Sequence, residues 1–163
     1  ALIYAMIGIL VYVALRFEFR FALGGVLALV HDAIITIGAF SITDKEFTLP
    51  VLAAVLTVVG YSINDTIVIY DRIRENMRKM VGKKLELIIN SSINETLSRT
   101  ILTSSTVLFV VIALFILGGS VIHDFAFALI VGVIAGTYST VFIASPIVIL
   151  WEKFFPGKKG KRR

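Results

Sequence analysis

No cysteine occurs in the 163 residues, which removes disulfides and thiolate metal sites from consideration and leaves the redox compartment unaddressed. Catalytic templates are missing as well. There is no His-Glu-x-x-His zinc helix, no Gly-x-Ser-x-Gly elbow and no Gly-x-x-x-x-Gly-Lys-Ser/Thr phosphate loop, and Tyr70-Asp71 lacks the Gly-x-Gly-Asp partner of an intramembrane aspartyl protease. Neither an enzyme nor a cofactor is expected. The chain opens at Ala1 without an initiator methionine or a charged stretch ahead of an apolar core, so no signal peptide is read and a longer parent polypeptide is expected.

What fills the chain is apolar: 58% of residues are hydrophobic and the mean hydropathy is +0.94. These residues come in blocks rather than stripes, at 1–15, 21–43, 47–70, 100–118 and 125–151. At about 1.5 Å rise per residue, roughly 20 residues cross the hydrocarbon core, so the last four blocks suffice and the first is short by one or two turns. The expected fold class is an all-α polytopic membrane protein, a bundle of five transmembrane helices forming one domain over 1–163 in the lipid bilayer.

The net charge of +5 would raise the question of nucleic acid in a soluble protein. Its distribution argues against that partner. Arg16 and Arg20 separate the first two blocks, Arg72 through Lys84 and Arg99 lie between the third and fourth, and Lys153 through Arg163 follow the fifth, while the other two connections hold only Lys45. Fifteen of sixteen basic residues thus fall on one side of a five-span zigzag, and the positive-inside rule makes that side cytoplasmic. The 71–98 connection and the basic 152–163 tail are then expected inside and the N-terminus outside, and the location expected for the chain is the cytoplasmic (inner) membrane.

In the 71–98 connection, Glu75 and Lys79 are spaced i, i+4, and Ile73, Met77 and Met80 repeat at helical spacing, so the third helix is expected to run on past the membrane. Gly82-Lys83-Lys84 should break it. Ser92 and Glu95 have capping-box spacing and predict a helix start near Ser92, and Gly119 to Asp124 reads as an outer connection in which His123-Asp124 is solvated. Both outer connections are too short for a domain. Ala128, Gly132, Gly136, Thr140 and Ala144 recur every four residues, as do Gly24, Ala28, Asp32 and Thr36, which predicts close helix packing along both rows.

Asp65 stands out. It lies inside the 24-residue run from Phe47 to Tyr70, where an acid costs roughly 2.5–3.5 kcal/mol on insertion scales, so it is expected against a partner or an ion path. Arg99 is the candidate partner. Thr57, Tyr61 and Asp65 form a polar row at i, i+4, i+8, and Thr103 and Thr106 extend the Arg99 face. The plain alternatives are an acid that only staples two helices and an arginine snorkelling to the headgroups. His31-Asp32, at the middle of its block, has the residue types for proton relay, or simply for a hydrogen-bonded pair between helices. The basic cluster Arg72 to Lys84 reads as a topology and headgroup signal.

The segment from Gly60 to Asn76, with Asn64-Asp65 at its centre and Tyr70-Asp71-Arg72-Ile73-Arg74-Glu75-Asn76 at its end, resembles the signature of the SecF family, the smaller half of the SecD-SecF protein-export complex. His31-Asp32, Leu97-Ser98-Arg99-Thr100 and Gly118-Gly119 extend the likeness over nearly the whole chain. The resemblance implies spans two to six of a six-helix unit of the resistance-nodulation-division (RND) superfamily, the first span and the following extracytoplasmic domain lying outside this chain. It also implies use of the proton-motive force to promote preprotein export with the SecYEG channel, indirectly with SecA, and with SecD either separate or fused. By the same likeness Asp65 is the proton-site acid and Arg99 its linked arginine. Asn64, Tyr61, His31 and Asp32 are candidates for relay or support, Gly60, Asp71, Arg72, Arg74, Glu75 and Asn76 belong to the signature, and the coupling ion is H⁺ with Na⁺ possible. Two other readings stay open: a proton-driven RND-type exporter of a small molecule or lipid, and a structural membrane scaffold.

Overall fold

The computed structural model describes residues 2–17 and 19–154. The expected basic tail from residue 155 onward lies outside them. In hydrocarbon every backbone polar group must be satisfied within its own segment, and long runs of Ala, Leu, Val and Ile meet that demand as helices. Five helical passes result: α1 (Leu2–Arg16), α2 (Phe19–Ile42), α3 (Leu49–Lys79), α4 (Leu85–Leu117), and a last pass made of α5 (Gly119–Ser139), a wide turn at Thr140–Ala144 and α6 (Ser145–Phe154). All but α1 are long and apolar enough to cross a membrane.

Turn chemistry sets the limits of the passes. Asp44 takes a left-handed φ of 52° between α2 and α3, a conformation Asp tolerates, and Pro50 occupies the first turn of α3, where its missing N–H costs nothing. Gly119, at φ 72°, turns the chain sharply from α4 into α5. The wide turn precedes Pro146, whose ring would press on the carbonyl four residues back in a regular helix. Loosening the helix there relieves the clash.

α5 is the hub and packs on α2, α3 and α4. It runs parallel to α3 with a fixed register, because the contacts pair Gly132 with Val58, Gly136 with Ser62, Thr140 with Thr66 and Ala144 with Tyr70, always 74 positions apart. Ala128 and Ala54, at the same offset, are both fully buried. The row of small residues anticipated on the last pass is therefore one half of a ladder. A Cβ on Gly132 would come within 2.1 Å of Val58 Cγ2, so this rung closes only around glycine. On α2, Gly24 plays the same part, since a Cβ there would meet the Tyr70 hydroxyl at 2.6 Å and the Ala144 carbonyl at 2.8 Å.

Two apolar clusters cap this ladder. One gathers Val13, Phe17, Phe21, Tyr70, Ile73, Ile89 and Val148, and the other Phe40, Val51, Val58, Val111 and Leu129. The ion pairs divide likewise. Arg16 meets Asp71 at 3.5 Å, Arg20 meets Glu152 at 2.6 Å and Arg72 bridges to Glu75 and Glu95 at one end, whereas Lys45 meets Asp124 at 2.6 Å at the other. Outward, α4 shows Leu102, Phe109 and Ile116, an apolar surface suited to lipid or to another helix.

Two local expectations need correction. α4 starts at Leu85, not near Ser92: the Ser92 hydroxyl is buried mid-helix, donating to the Ile88 carbonyl at 2.7 Å and accepting from Asn76 Nδ2 at 3.0 Å, so the capping-box spacing is coincidental. Residues 119–124 are helical, and His123 and Asp124 are held in place. His123 stacks on Phe115 at a centroid distance of 4.0 Å, and Asp124 takes Lys45. The continuation of the third helix to Lys79 and the break at Gly82 are found as expected.

Candidate functional site

α2, α3 and α5 meet at Asp32. Its side chain is fully buried, and Oδ2 accepts from Ser62 Oγ of α3 at 2.6 Å and from Ser139 Oγ of α5 at 2.8 Å. Oδ1 faces His31 Nδ1 at 3.1 Å. The His31–Asp32 contact thus lies within α2, and the bonds between helices are made by the Asp32 carboxylate with Ser62 and Ser139. Burying an acid this way is tolerable because each oxygen has a partner.

One turn further along α3, Asp65 is treated differently. It is 5% exposed, and its Oδ2 is buried with no hydrogen-bond partner. Among the described residues no ion pair or hydrogen bond joins it to Arg99. The arginine is exposed on α4, and its charge reaches Asp65 only through space. The direct pair anticipated from the sequence is not made. Tyr61, one turn before Asp65, donates instead to Ser104 of α4 at 3.0 Å, and Ser104 shares a 2.8 Å bond with Thr137 of α5. Thr57, Gly60 and Asn64 lie exposed on α3, as do Thr106 and Arg99 on α4.

Below Asp65 the signature residues build an ionic and amide clamp. Asn76 is buried and donates to Ser92 and to both oxygens of Glu95, the latter at 3.2 Å each. Arg72 donates to Glu95 through Nε and to Glu75 through Nη1, and Lys79 reaches Glu75 at 2.6 Å. The Lys79 and Arg72 hydrogen bonds hold the Glu75 carboxyl below the usual carboxylate range, and those from Asn76 and Arg72 do the same for Glu95. Asp71 pairs with Arg16, and Arg74 points to the Arg16 carbonyl at 3.5 Å. These contacts fasten the extension of α3 to α4 and α1.

Sequence reasoning missed Ser62, Ser139, Thr66 and Ser104, and had Thr140 only as a member of a packing row. Part of the signal was available as hydroxyls at intervals of four, a spacing that puts Ser62, Thr66 and Tyr70 on one face of α3 and Ser92, Thr96, Thr100 and Ser104 on one face of α4. What it lacked was the second helix, because only the 74-residue offset turns two separate rows into pairs.

A family model described as "Protein export membrane protein SecD/SecF, C-terminal" matches residues 1–154. Among curated proteins, a protein translocase subunit SecF from Magnetococcus marinus is 60% identical over 161 residues, covering 99% of this chain and 51% of that protein. The same subunit from Vibrio alginolyticus is 55% identical over 149 residues, covering 91% and 47%. The chain therefore spans about half the length of these relatives. Among solved structures, one of SecDF in a super-membrane-facing form superposes with a TM-score of 0.87 at 47% identity, over 91% of this chain and 20% of that one. A second, of SecDF from Thermus, described as a translocon-associated membrane protein, gives 0.85 at 48% over 88% and 20%.

Proposed function

The chain belongs to the SecD/SecF family of protein-export membrane proteins, and on that premise we propose that it is the membrane-embedded, proton-responsive part of an auxiliary translocase subunit that promotes preprotein export across the cytoplasmic membrane. The observation that carries the reading is Asp65: a buried carboxylate on α3 with one oxygen unpartnered and the charge of Arg99 on α4 reaching it without a bond. A helix staple needs a bond. Here the staple is supplied by Asp32 and the Asn76 clamp, which leaves Asp65 free to exchange a proton and change the attraction of Arg99 for α3. One elementary charge crossing the field is worth about 2.3 kcal/mol per 100 mV, enough to bias a two-state packing.

The basic end is the cytoplasmic end in this reading, with Arg16, Arg20, Arg72 and Arg74 at the headgroups. SecD is the partner, because Asn64, Gly60, Arg99 and Thr106 form an exposed, partly polar face at membrane depth that lipid tails suit poorly and a second helical unit suits well. The SecYEG channel and the translocating preprotein are engaged by the assembled complex, with SecA acting upstream. The reaction is transport, the coupling ion is H⁺, and no cofactor takes part. Export of a small molecule is disfavoured by the relatives, which are named as translocase subunits.

The test uses the full-length subunit with SecD in inverted vesicles, reading completion of preprotein translocation with and without a proton gradient. Asp65→Asn abolishes the gradient-dependent part while the complex still assembles, Asp65→Glu keeps some of it, and Arg99→Ala impairs the same step. Wild-type gradient dependence in Asp65→Asn refutes the assignment.

A further inference from the structure

Among the described residues Asp65 has no hydrogen bond to fix where its carboxylate points, so its aim must come from the setting of α3. Three rungs hold the face of α3 that turns away from α4. Ser62 donates to Asp32, Thr66 shares a 3.2 Å bond with Thr140, and Tyr70 donates to the Ala144 carbonyl at 3.2 Å. Only the first runs to a buried carboxyl group, and Ser62 lies three residues, about one turn, before Asp65 on the same helix. We infer that Asp32 is a positioning residue for the proton site: by gathering Ser62 of α3 and Ser139 of α5 on one carboxylate oxygen it sets the rotation of α3 and thereby the environment of Asp65.

The geometry makes this specific. Gly136 of α5 lies against the same corner, where a Cβ would touch Ser62 at 3.1 Å and Asp32 Oδ2 at 3.6 Å, so no side chain can wedge α3 away. His31 holds the other oxygen of Asp32 and has Tyr138 of α5 at 6.4 Å from its ring. The titratable groups facing this region are therefore His31 on α2, Tyr61 and Asp65 on α3, Arg99 on α4 and Tyr138 on α5. A rotation of α3 that lost the Ser62 rung would move Asp65 relative to Arg99 and Tyr61, and so alter the pH at which it accepts a proton.

The inference rests on reading Asp65 as the proton site, and its test is chosen to be independent of export. An apolar carbodiimide reacts with protonated carboxyl groups in low-dielectric surroundings, so labelling at Asp65, resolved by peptide mass spectrometry across a pH series, reports that group alone. The measurement is made on the assembled full-length complex in proteoliposomes. In Ser62→Ala, which cuts the link to α3 and removes one hydroxyl only, the labelling midpoint moves by about half a pH unit or more. Asp32→Ala moves it in the same sense, Asp32→Asn falls between because one acceptor oxygen remains, and Ser139→Ala, which frees α5 and not α3, moves it least. An unchanged midpoint in assembled Ser62→Ala overturns the inference, as does a shift in Ser62→Ala that an assembled Asp32→Ala does not reproduce. Should Asp32→Ala fail to assemble, Asp32→Asn takes its place in that comparison. If Asp65→Asn keeps gradient-dependent export while the midpoint still follows Ser62, the function of Asp65 is refuted and its positioning stands.

Discussion

Two acids sit in the same bundle a few turns apart and are handled in opposite ways. Asp32 is fully buried with partners on both oxygens, whereas Asp65 is nearly as buried and keeps one oxygen without any. Leaving a buried polar atom unsatisfied costs about 1–3 kcal/mol, and the fold has every means to avoid it, since hydroxyls were available to Asp32 from two helices. The difference separates two jobs that a buried carboxylate can do. Asp32 organises the helices, and Asp65 sits within that organisation without a hydrogen bond among the described residues.

If that division is right, stability and function should part company between the two sites. The largest expected stability loss is at Asp32→Ala, which strands two serine hydroxyls and leaves a void among three helices. With interhelical bonds in membranes worth roughly 0.6 kcal/mol on average and up to about 1.7, the loss is about 2–3 kcal/mol in an unfolding titration in detergent. Asp65→Ala should cost less than about 1 kcal/mol in the same assay, since no bond is broken. A larger loss at Asp65 than at Asp32 breaks the comparison.

Glycines sharpen it. Gly136 backs the Asp32 corner, and its replacement by alanine pushes on Ser62, lowering stability by about 1–2 kcal/mol. Gly60, on the exposed side of α3 near Asp65, meets nothing within 4 Å, so Gly60→Ala is neutral or stabilises by up to about 1 kcal/mol through helix propensity in the isolated chain. Thermal midpoints of the two variants measured side by side decide the matter, and a destabilised Gly60→Ala with an unaffected Gly136→Ala contradicts it.

The clamp below Asp65 gives a smaller effect. Asn76→Ala removes the buried amide that bonds Ser92 and Glu95, and should lower stability by about 1 kcal/mol and raise hydrogen exchange in residues 72–79 while leaving the Asp32 corner protected. Uniform loss of protection across α3 shows that the two regions are not separate. Smallest is the acid response of the clamp. Glu75 and Glu95 have folded-state values below their unfolded ones, so their contribution is present above the unfolded carboxylate pKa and fades as pH falls through the depressed folded values. Both face solvent, so salt should weaken the effect. A stability that rises on acidification in this window gives the wrong sign.

Much of this architecture is legible from the sequence because lipid imposes it. Runs such as 21–43 and 47–70 have one foldable form at membrane depth, and the one-sided arginines sort the connections. The row from Ala128 to Ala144 announces close packing without naming its partner. The site was half legible. Asp65 is conspicuous by its cost alone, but whether it pairs with Arg99 depends on side-chain reach across two helices, and sequence depth can state that condition without deciding it. Asp32 looked like a companion of His31, since adjacency is all the sequence shows. Its bonds to Ser62 and Ser139 span 30 and 107 positions and exist only once three helices converge. Ser92 misled for a related reason, because a serine three residues before a glutamate is also what an interhelical hydroxyl looks like in mid-helix.

The wide turn at Thr140–Ala144 has a geometric consequence for the ladder it interrupts. Residues spaced by four advance about 400° around an ordinary α-helix, so a row of that spacing drifts about 40° with each step and soon leaves the helix it faces. A turn closed from i to i+5 holds more residues and drifts the other way. Placed where Thr140 and Ala144 must still meet Thr66 and Tyr70, it acts as a phase correction that returns the row to α3. The number of residues through this turn is therefore as constrained as their identity: deleting one would rotate Val148 and everything after it by about 100° and turn a buried face toward the lipid.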